Sequence, residues 1–231
     1  MSKKLKVCDH SCFMCRYVVP DWWENIDIRR QIIKVKKGQR FIDEGTDAEG
    51  VYFVQEGLVK VHKRWGDKES IVRFAKKGDI IGHRGMAREK SIFPISATCL
   101  ENTILCFIPI DFFKSLLKTN PSLTYELLMF YADELQLSEQ KVTNQAHLSV
   151  KGRLAWSFLL LEEKMGTDEN GRIRLVLSKT DLAAYVGSTY ESVYRMIAEL
   201  EAEGAIEVFH KRIKIKDREI LLSNSASLEP Q

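Results

Sequence analysis

The chain has 231 residues, 45% of them hydrophobic, and a formal net charge of +3 at pH 7. Length and apolar content suffice for one large or two modest domains and exclude a disordered chain. A charge this small carries no argument for nucleic acid, so any electrostatic footprint has to come from local patches. No stretch approaches eighteen uncharged apolar residues, and the start MSKKLKVCDH lacks the apolar run of a signal peptide. The expectation is therefore a cytoplasmic protein without a membrane partner.

The first feature in chain order is CDHSCFMC at 8–15, within a cysteine-containing segment assigned to 1–21. Five cysteines, an odd number, argue against a disulfide framework and leave thiols or metal ligation open. Cys8, Cys12 and Cys15, with or without His10, are ligand candidates, and the spacing alone does not separate them from bystander thiols.

From 32 to 110 short β-favouring runs are punctuated by glycine, as in VKKGQRFIDEG and ISATCLENTILCFI. This predicts a compact β-barrel or roll within a domain assigned to 22–120. Val51, Phe53 and Gln55 alternate with Tyr52 and Val54; Glu56-Gly57 marks one turn and Arg64-Trp65-Gly66-Asp67 the next.

After Pro109 the pattern turns helical, first in IDFFKSLLKTN and then over a long segment assigned to 121–148. At 100° per residue Leu128, Leu135 and Val142 form one stripe of heptad spacing, and Leu123, Phe130 and Leu137 a second on the opposite side. A helix apolar on two faces needs two partners. The β-domain supplies one, and the same helix of a second subunit is the most economical other, giving a homodimer. Ser149 is read as the cap of the next helix, running to about Met165, and as the domain boundary. A polar hairpin, GTDENGR, then leads into IRLVL.

The sharpest signal is LSKTDLAAYVGSTYESVYRMIAELEAEG at 177–204. Ser178 with Asp181, and ten residues later Ser188 with Glu191, match the S/T-x-x-D/E capping pattern, so two helices are predicted to start there. Gly187 suits the tight turn between them, and Ala183 and Ala184 permit close approach. On the second helix Val193, Met196, Ile197 and Leu200 share one face; Glu191 and Arg195 point roughly the other way, flanked by Tyr190 and Tyr194. Arginine can bond guanine bidentately and glutamate can accept from cytosine, both in the major groove. The plainer alternatives are a capping-box glutamate and an ordinary i,i+4 surface pair. HKRIKIKDREIL alternates like a hairpin and brings Lys211 and Arg212 beside the helix pair, as a wing does for phosphate contacts.

Together these elements resemble the Crp/Fnr family of bacterial transcription regulators, from about Trp22 to Leu221. The resemblance is most specific in VGSTYESVYRMIAELEAEGAI, LSVKGRLA and KKGDIIG. It implies an α+β fold: a jelly-roll-like, cyclic-nucleotide-binding-type β-roll, a long dimerisation helix, and a winged helix-turn-helix over 149–223, followed by a tail at 224–231. It further implies a homodimer on palindromic double-stranded DNA, and RNA polymerase as a partner if the protein activates. The DNA-contacting set carried over is Ser188, Thr189, Tyr190, Glu191, Tyr194, Arg195, Lys179, Lys211 and Arg212. Tyr190 stands where many members carry an arginine.

Cyclic-AMP-binding members carry Gly-Glu at the positions of Gly82-His83 and Arg-Ser at those of Phe93-Pro94. Here the charged clamp on the phosphate is missing, so the resemblance argues against cyclic AMP. Gly82, His83, Arg84, Arg88 and Pro94 are left as a degenerate effector pocket. The oxygen-sensing Fnr branch holds a [4Fe-4S] cluster with three cysteines before the roll and one just before an Ile-Pro pair. CFIP places Cys106 there, so Cys8, Cys12, Cys15 and Cys106 are the implied ligands, although the spacing CxxxCxxC differs from that branch. Cys99 is expected in the core.

Two other classes compete. CxxxCxxC also heads radical-SAM enzymes, but those need a barrel of parallel βα units. A roll-containing interaction module without DNA binding is the third, and Glu191 with Arg195 argues against it. No phosphate loop, nucleophile elbow or HExxH site occurs in the sequence, so no enzyme activity is expected.

Overall fold

A computed structural model of the chain describes residues 10–225. Packing divides it into two units, Met1–Asp133 and Glu134–Gln231. The division falls inside a helix, earlier than Ser149.

The first unit opens with α1 (Phe13–Tyr17) and α2 (Trp23–Arg29). Eight strands follow: β1 (Gln31–Val35), β2 (Arg40–Ile42), β3 (Gly50–Glu56), β4 (Val59–Trp65), β5 (Lys68–Ala75), β6 (Ile80–Ile81), β7 (Ser96–Cys99) and β8 (Thr103–Pro109). They form two antiparallel four-stranded sheets, ordered β1-β8-β3-β6 and β2-β7-β4-β5. This is the expected roll. Gly66-Asp67 closes the β4–β5 hairpin, with Gly66 at φ +59°.

Alternation along β3 decides the layering. Val54 faces the interior of the roll with Val35, Ile42, Val61, Ile81 and Leu105. Val51 and Phe53 face the opposite way, into a cluster with Ile80, Cys106 and Ile108 that helices cover. Both faces of this sheet are therefore buried. The cover comes from α1, α2, α3 (Ile110–Thr119) and the start of α4 (Pro121–His147), through Met14, Ile26, Phe113, Leu116, Leu123 and Leu127. The segment carrying Cys12 and Cys15 is thus part of the folded core and no appendage to it. Five residues are too few to show helical periodicity, so only the tertiary partner reveals α1.

Along α4 the stripe of Leu128, Leu135 and Val142 is exposed, at 63%, 60% and 68%.

The second unit contains the end of α4 and then α5 (Val150–Met165), α6 (Lys179–Val186), α7 (Tyr190–Ala202), a hairpin of β9 (Ile206–Phe209) and β10 (Arg212–Ile215), and α8 (Arg218–Ser225). Ser149 caps α5, accepting from the Gly152 N–H. The stretch IRLVL forms no strand; Thr167 and Ile173 make one isolated bridge. The hairpin reading of HKRIKIKDREIL holds only to Ile215. Asp217 then accepts from the N–H groups of Glu219 and Ile220 and starts α8. Among the described residues no helix is long and apolar enough to cross a membrane.

Candidate nucleic-acid interface and sensor region

The two helices α6 and α7 are held by their ends. Ser178 caps α6 as predicted: it accepts from the Asp181 N–H, and its hydroxyl donates to the Asp181 carboxylate at 2.6 Å. At the other end Gly187 is left-handed, φ +71°, and its N–H and that of Ser188 both donate to the Ala183 carbonyl. Arg153 donates to the Val186 and Gly187 carbonyls, and Gln145 also donates to Gly187. A cation is favourable at this helix C-terminus, and the Val186 and Gly187 carbonyls are satisfied by side-chain donors. Arg153 lies inside the quoted LSVKGRLA; Gln145 carried no signal in the sequence.

The cap of α7 is shifted from the predicted one. Thr189, not Ser188, accepts from the Ser192 N–H. Ser188 is still engaged in closing α6, so the first extended residue is one position later. Glu191 is therefore not a capping-box partner. Nor do Glu191 and Arg195 form an ion pair among the described residues; both are exposed on the first turns of α7. Behind them Val193 and Leu200 are fully buried. Both plainer readings of this pair are thereby removed.

Tyr190 and Tyr194 stack with centroids 6.4 Å apart, and the Lys179 ammonium lies 3.8 Å from the centre of the Tyr194 ring. This cation–π contact fixes a positive charge beside the exposed face of α7 that carries Glu191 and Arg195. On the wing His210 and Lys211 form a left-handed tip, φ +46° and +69°. Lys211 is exposed and makes no ion pair among the described residues. Arg212 is committed in part, bonded to Asp168 at 3.0 Å. That carboxylate is held below its usual range, first by the Arg172 N–H, then by the Asn170 N–H and Arg212.

In the roll, Gly82 is left-handed and His83 is 2% exposed. The His83 ring lies edge-on to Phe130 and Tyr131 of α4, and Tyr131 donates to the His83 carbonyl at 2.7 Å. Neither ring nitrogen has a partner among the described residues. Burial first, with Arg73 and Arg84 adding, holds this imidazole well below its usual pKa. Arg88 is exposed, Arg84 and Pro94 half-buried. Phe93, where cyclic-AMP-binding members carry arginine, is buried in the roll interior against Gly82 and Gly85. Sequence reading missed Phe93 as a filler; its apolar neighbours on both sides were the available signal.

Cys12, Cys15 and Cys106 are all buried in the helix-covered cluster, at 4%, 3% and 1% exposure. The Phe13 N–H donates to the Gly78 carbonyl and ties α1 to the roll, while β8 aligns Cys106 with Phe53. Cys99 sits in the other cluster, its thiol pushed up by burial. His10 stacks on Trp23 with centroids 4.4 Å apart. Among the described residues no three His, Cys, Asp or Glu side chains close into a metal site. Cys8 lies outside the described residues.

The family model for the cyclic nucleotide-binding domain matches residues 32–120, and that for the Crp-like helix-turn-helix domain matches residues 152–223. The anaerobic regulatory protein of Bacillus subtilis is 29% identical over 188 residues, 80% of this chain and 78% of that protein. The cAMP-activated global transcriptional regulator CRP of Salmonella typhimurium is 29% identical over 190 residues, 80% of this chain and 89% of that one. Among solved structures, FixK2 from Bradyrhizobium japonicum superposes with a TM-score of 0.76 at 21% identity, over 87% of this chain and 99% of that chain, a likeness of fold. Two matching domains in the same order, joined by the long α4, place the chain in the Crp/Fnr family of DNA-binding transcription regulators, whose members are not enzymes.

Proposed function

We propose that the regulator works as a homodimer joined through Leu128, Leu135 and Val142, and that it sets two copies of α7 in successive major grooves of a palindromic site. In this reading Glu191 and Arg195 contact base edges. Lys179, Ser188, Thr189, Tyr190, Tyr194, Lys211 and Arg212 contact phosphates and groove walls. The observation that carries it is the pair Glu191 and Arg195, exposed and not paired with each other on a helix whose preceding turn is held by Arg153 and Gln145. The chromosome as target makes the cytoplasm its place of work, and RNA polymerase is the further partner where it activates.

Selection from random duplex DNA tests this. The expected product is two inverted half-sites about 34 Å, one helical turn, apart. Affinity should fall steeply with salt, with a log–log slope of about −0.9 per phosphate contacted. Failure to enrich any sequence would favour a roll module without DNA binding.

Cyclic AMP is not the input in this reading. By the resemblance, Phe93 stands where a phosphate-clamping arginine is expected and His83 where a glutamate meets the ribose; both are buried here, which supports this reading. The input proposed instead is a [4Fe-4S] cluster on Cys8, Cys12, Cys15 and Cys106. Cys12, Cys15 and Cys106 are buried in one apolar cluster without closing into a metal site among the described residues, and His10, the alternative zinc ligand, stacks on Trp23. Such a cluster would supply oxygen-sensitive redox chemistry; the chain would hold it through Cys12 and Cys15 at α1 and Cys106 of β8, all buried. Protein purified without oxygen should show a broad visible band that air bleaches and Cys106→Ala abolishes, with about four irons per chain, as one cubane cluster requires. Stoichiometric zinc without iron, or a colourless metal-free protein, would refute it.

A further inference from the structure

The second unit holds a cavity of about 350 Å³ between α5, α6, α7 and the wing. Its floor is Phe158 and Leu161 of α5, Leu182 of α6, and Ile173 with Leu175, all buried. One wall is α7 itself, through Tyr194, Ile197, Ala198 and Glu201. At 100° per residue these four make a stripe beside the one that carries Glu191 and Arg195. The other wall is the wing, through Val208 and Ile213.

The polar groups lining the cavity are few and unbalanced. Lys179 and Lys211 bring two cations. The acid in the lining, Glu201, already accepts the Val208 N–H at 3.0 Å. Lys179 rests on an aromatic face and Lys211 has no ion pair among the described residues, so both charges remain available to an anion.

We propose that this cavity binds a small monoanionic amphiphile, an aryl or alkyl carboxylate or sulfonate, and that its occupancy excludes DNA. The volume lies in the range of roughly 300–1,000 Å³ typical of small-molecule sites, which combine apolar walls with a few placed polar groups. The apolar body takes the floor, and the anion lies between Lys179 and Lys211. Exclusion follows because Lys179, Tyr194 and Lys211 are the same groups assigned above to the DNA backbone and groove. This second half rests on the DNA reading; the site itself does not.

The probe is 8-anilinonaphthalene-1-sulfonate, titrated into the full-length, DNA-free protein and followed by fluorescence. Expected are saturation at about one probe per chain, as for a single pocket of this size, weakening of at least about fivefold in Lys211→Ala through loss of one charged partner, and loss in Ala198→Phe, which fills the cavity from α7. Selected duplex DNA should displace the probe. Circular dichroism checks that the variants fold, and if Ala198→Phe does not, the exposed Lys211→Ala decides alone. Wild-type probe binding by both variants overturns the site. Probe binding that the variants abolish but saturating DNA leaves untouched overturns the exclusion. DNA binding that fails without any probe indicts the DNA reading and leaves the cavity to be judged by the variants.

Discussion

Leu135→Glu is expected to weaken the dimer at least a hundredfold, about 2.8 kcal/mol, and to abolish binding to a palindromic site with it. Leu128, Leu135 and Val142 are more than half exposed, whereas Leu123 and Leu127 near the start of the same helix are buried in the core. An exposed apolar stripe at heptad spacing is a surface waiting for a partner. A second copy is the partner that satisfies it with one set of residues, because a two-fold axis repeats each contact.

The magnitude follows from that symmetry. Burying a leucine side chain contributes about 1.5–3 kcal/mol, and in a two-fold dimer each substitution removes two of them. Glutamate also places two carboxylates near the axis, where they repel and lose water. Leu135→Met, which keeps volume and apolarity, should stay within about twofold of wild type. Sedimentation velocity across a concentration series reads the dimer, and fluorescence anisotropy on labelled duplex reads the DNA. Wild-type sedimentation by Leu135→Glu would remove α4 as the dimer contact.

Much of this architecture was legible because local chemistry and tertiary structure agree. Ser178 with Asp181, Gly187 in the turn and Ser149 before α5 each satisfy a backbone group that no neighbour competes for. The cap of α7 misled by one residue for a definite reason. Ser188 and Thr189 are equally good caps in sequence, and the choice is made by the Ala183 carbonyl, which holds the Ser188 N–H. At α8 the alternation of HKRIKIKDREIL ran on past the strand, and only the Asp217 side chain, bonded to two N–H groups, marks the change. The core position of Cys12 and Cys15 was invisible, since it depends on a contact between 13 and 78, far apart in the chain. The seat of α7 was half visible: Arg153 stood in a quoted motif, while its target carbonyls are known only from the fold.

Arg195→Ala is the substitution that separates recognition from mere attachment. A bidentate arginine–guanine contact contributes about 1–3 kcal/mol of discrimination, so two half-sites make the loss on a palindrome roughly 2–6 kcal/mol. Preference at one base pair of each half-site should relax. Because Arg195 is exposed and makes no ion pair among the described residues, the melting temperature should stay near wild type. Arg195→Lys should not rescue, since an ammonium lacks the planar fork that meets two acceptors at once. The salt slope should also persist, because a base contact releases few counterions. Lys211→Ala should do the reverse, lowering the slope by about one unit per subunit while weakening all sequences alike. These signatures are read by anisotropy against selected and single-mismatch duplexes at several salt concentrations. If Arg195→Ala bound the selected site as tightly and as selectively as wild type, α7 would not be the reading helix through that face. The sequence preference would then have to come from Tyr190 and Tyr194, whose stack over Lys179 forms the neighbouring surface.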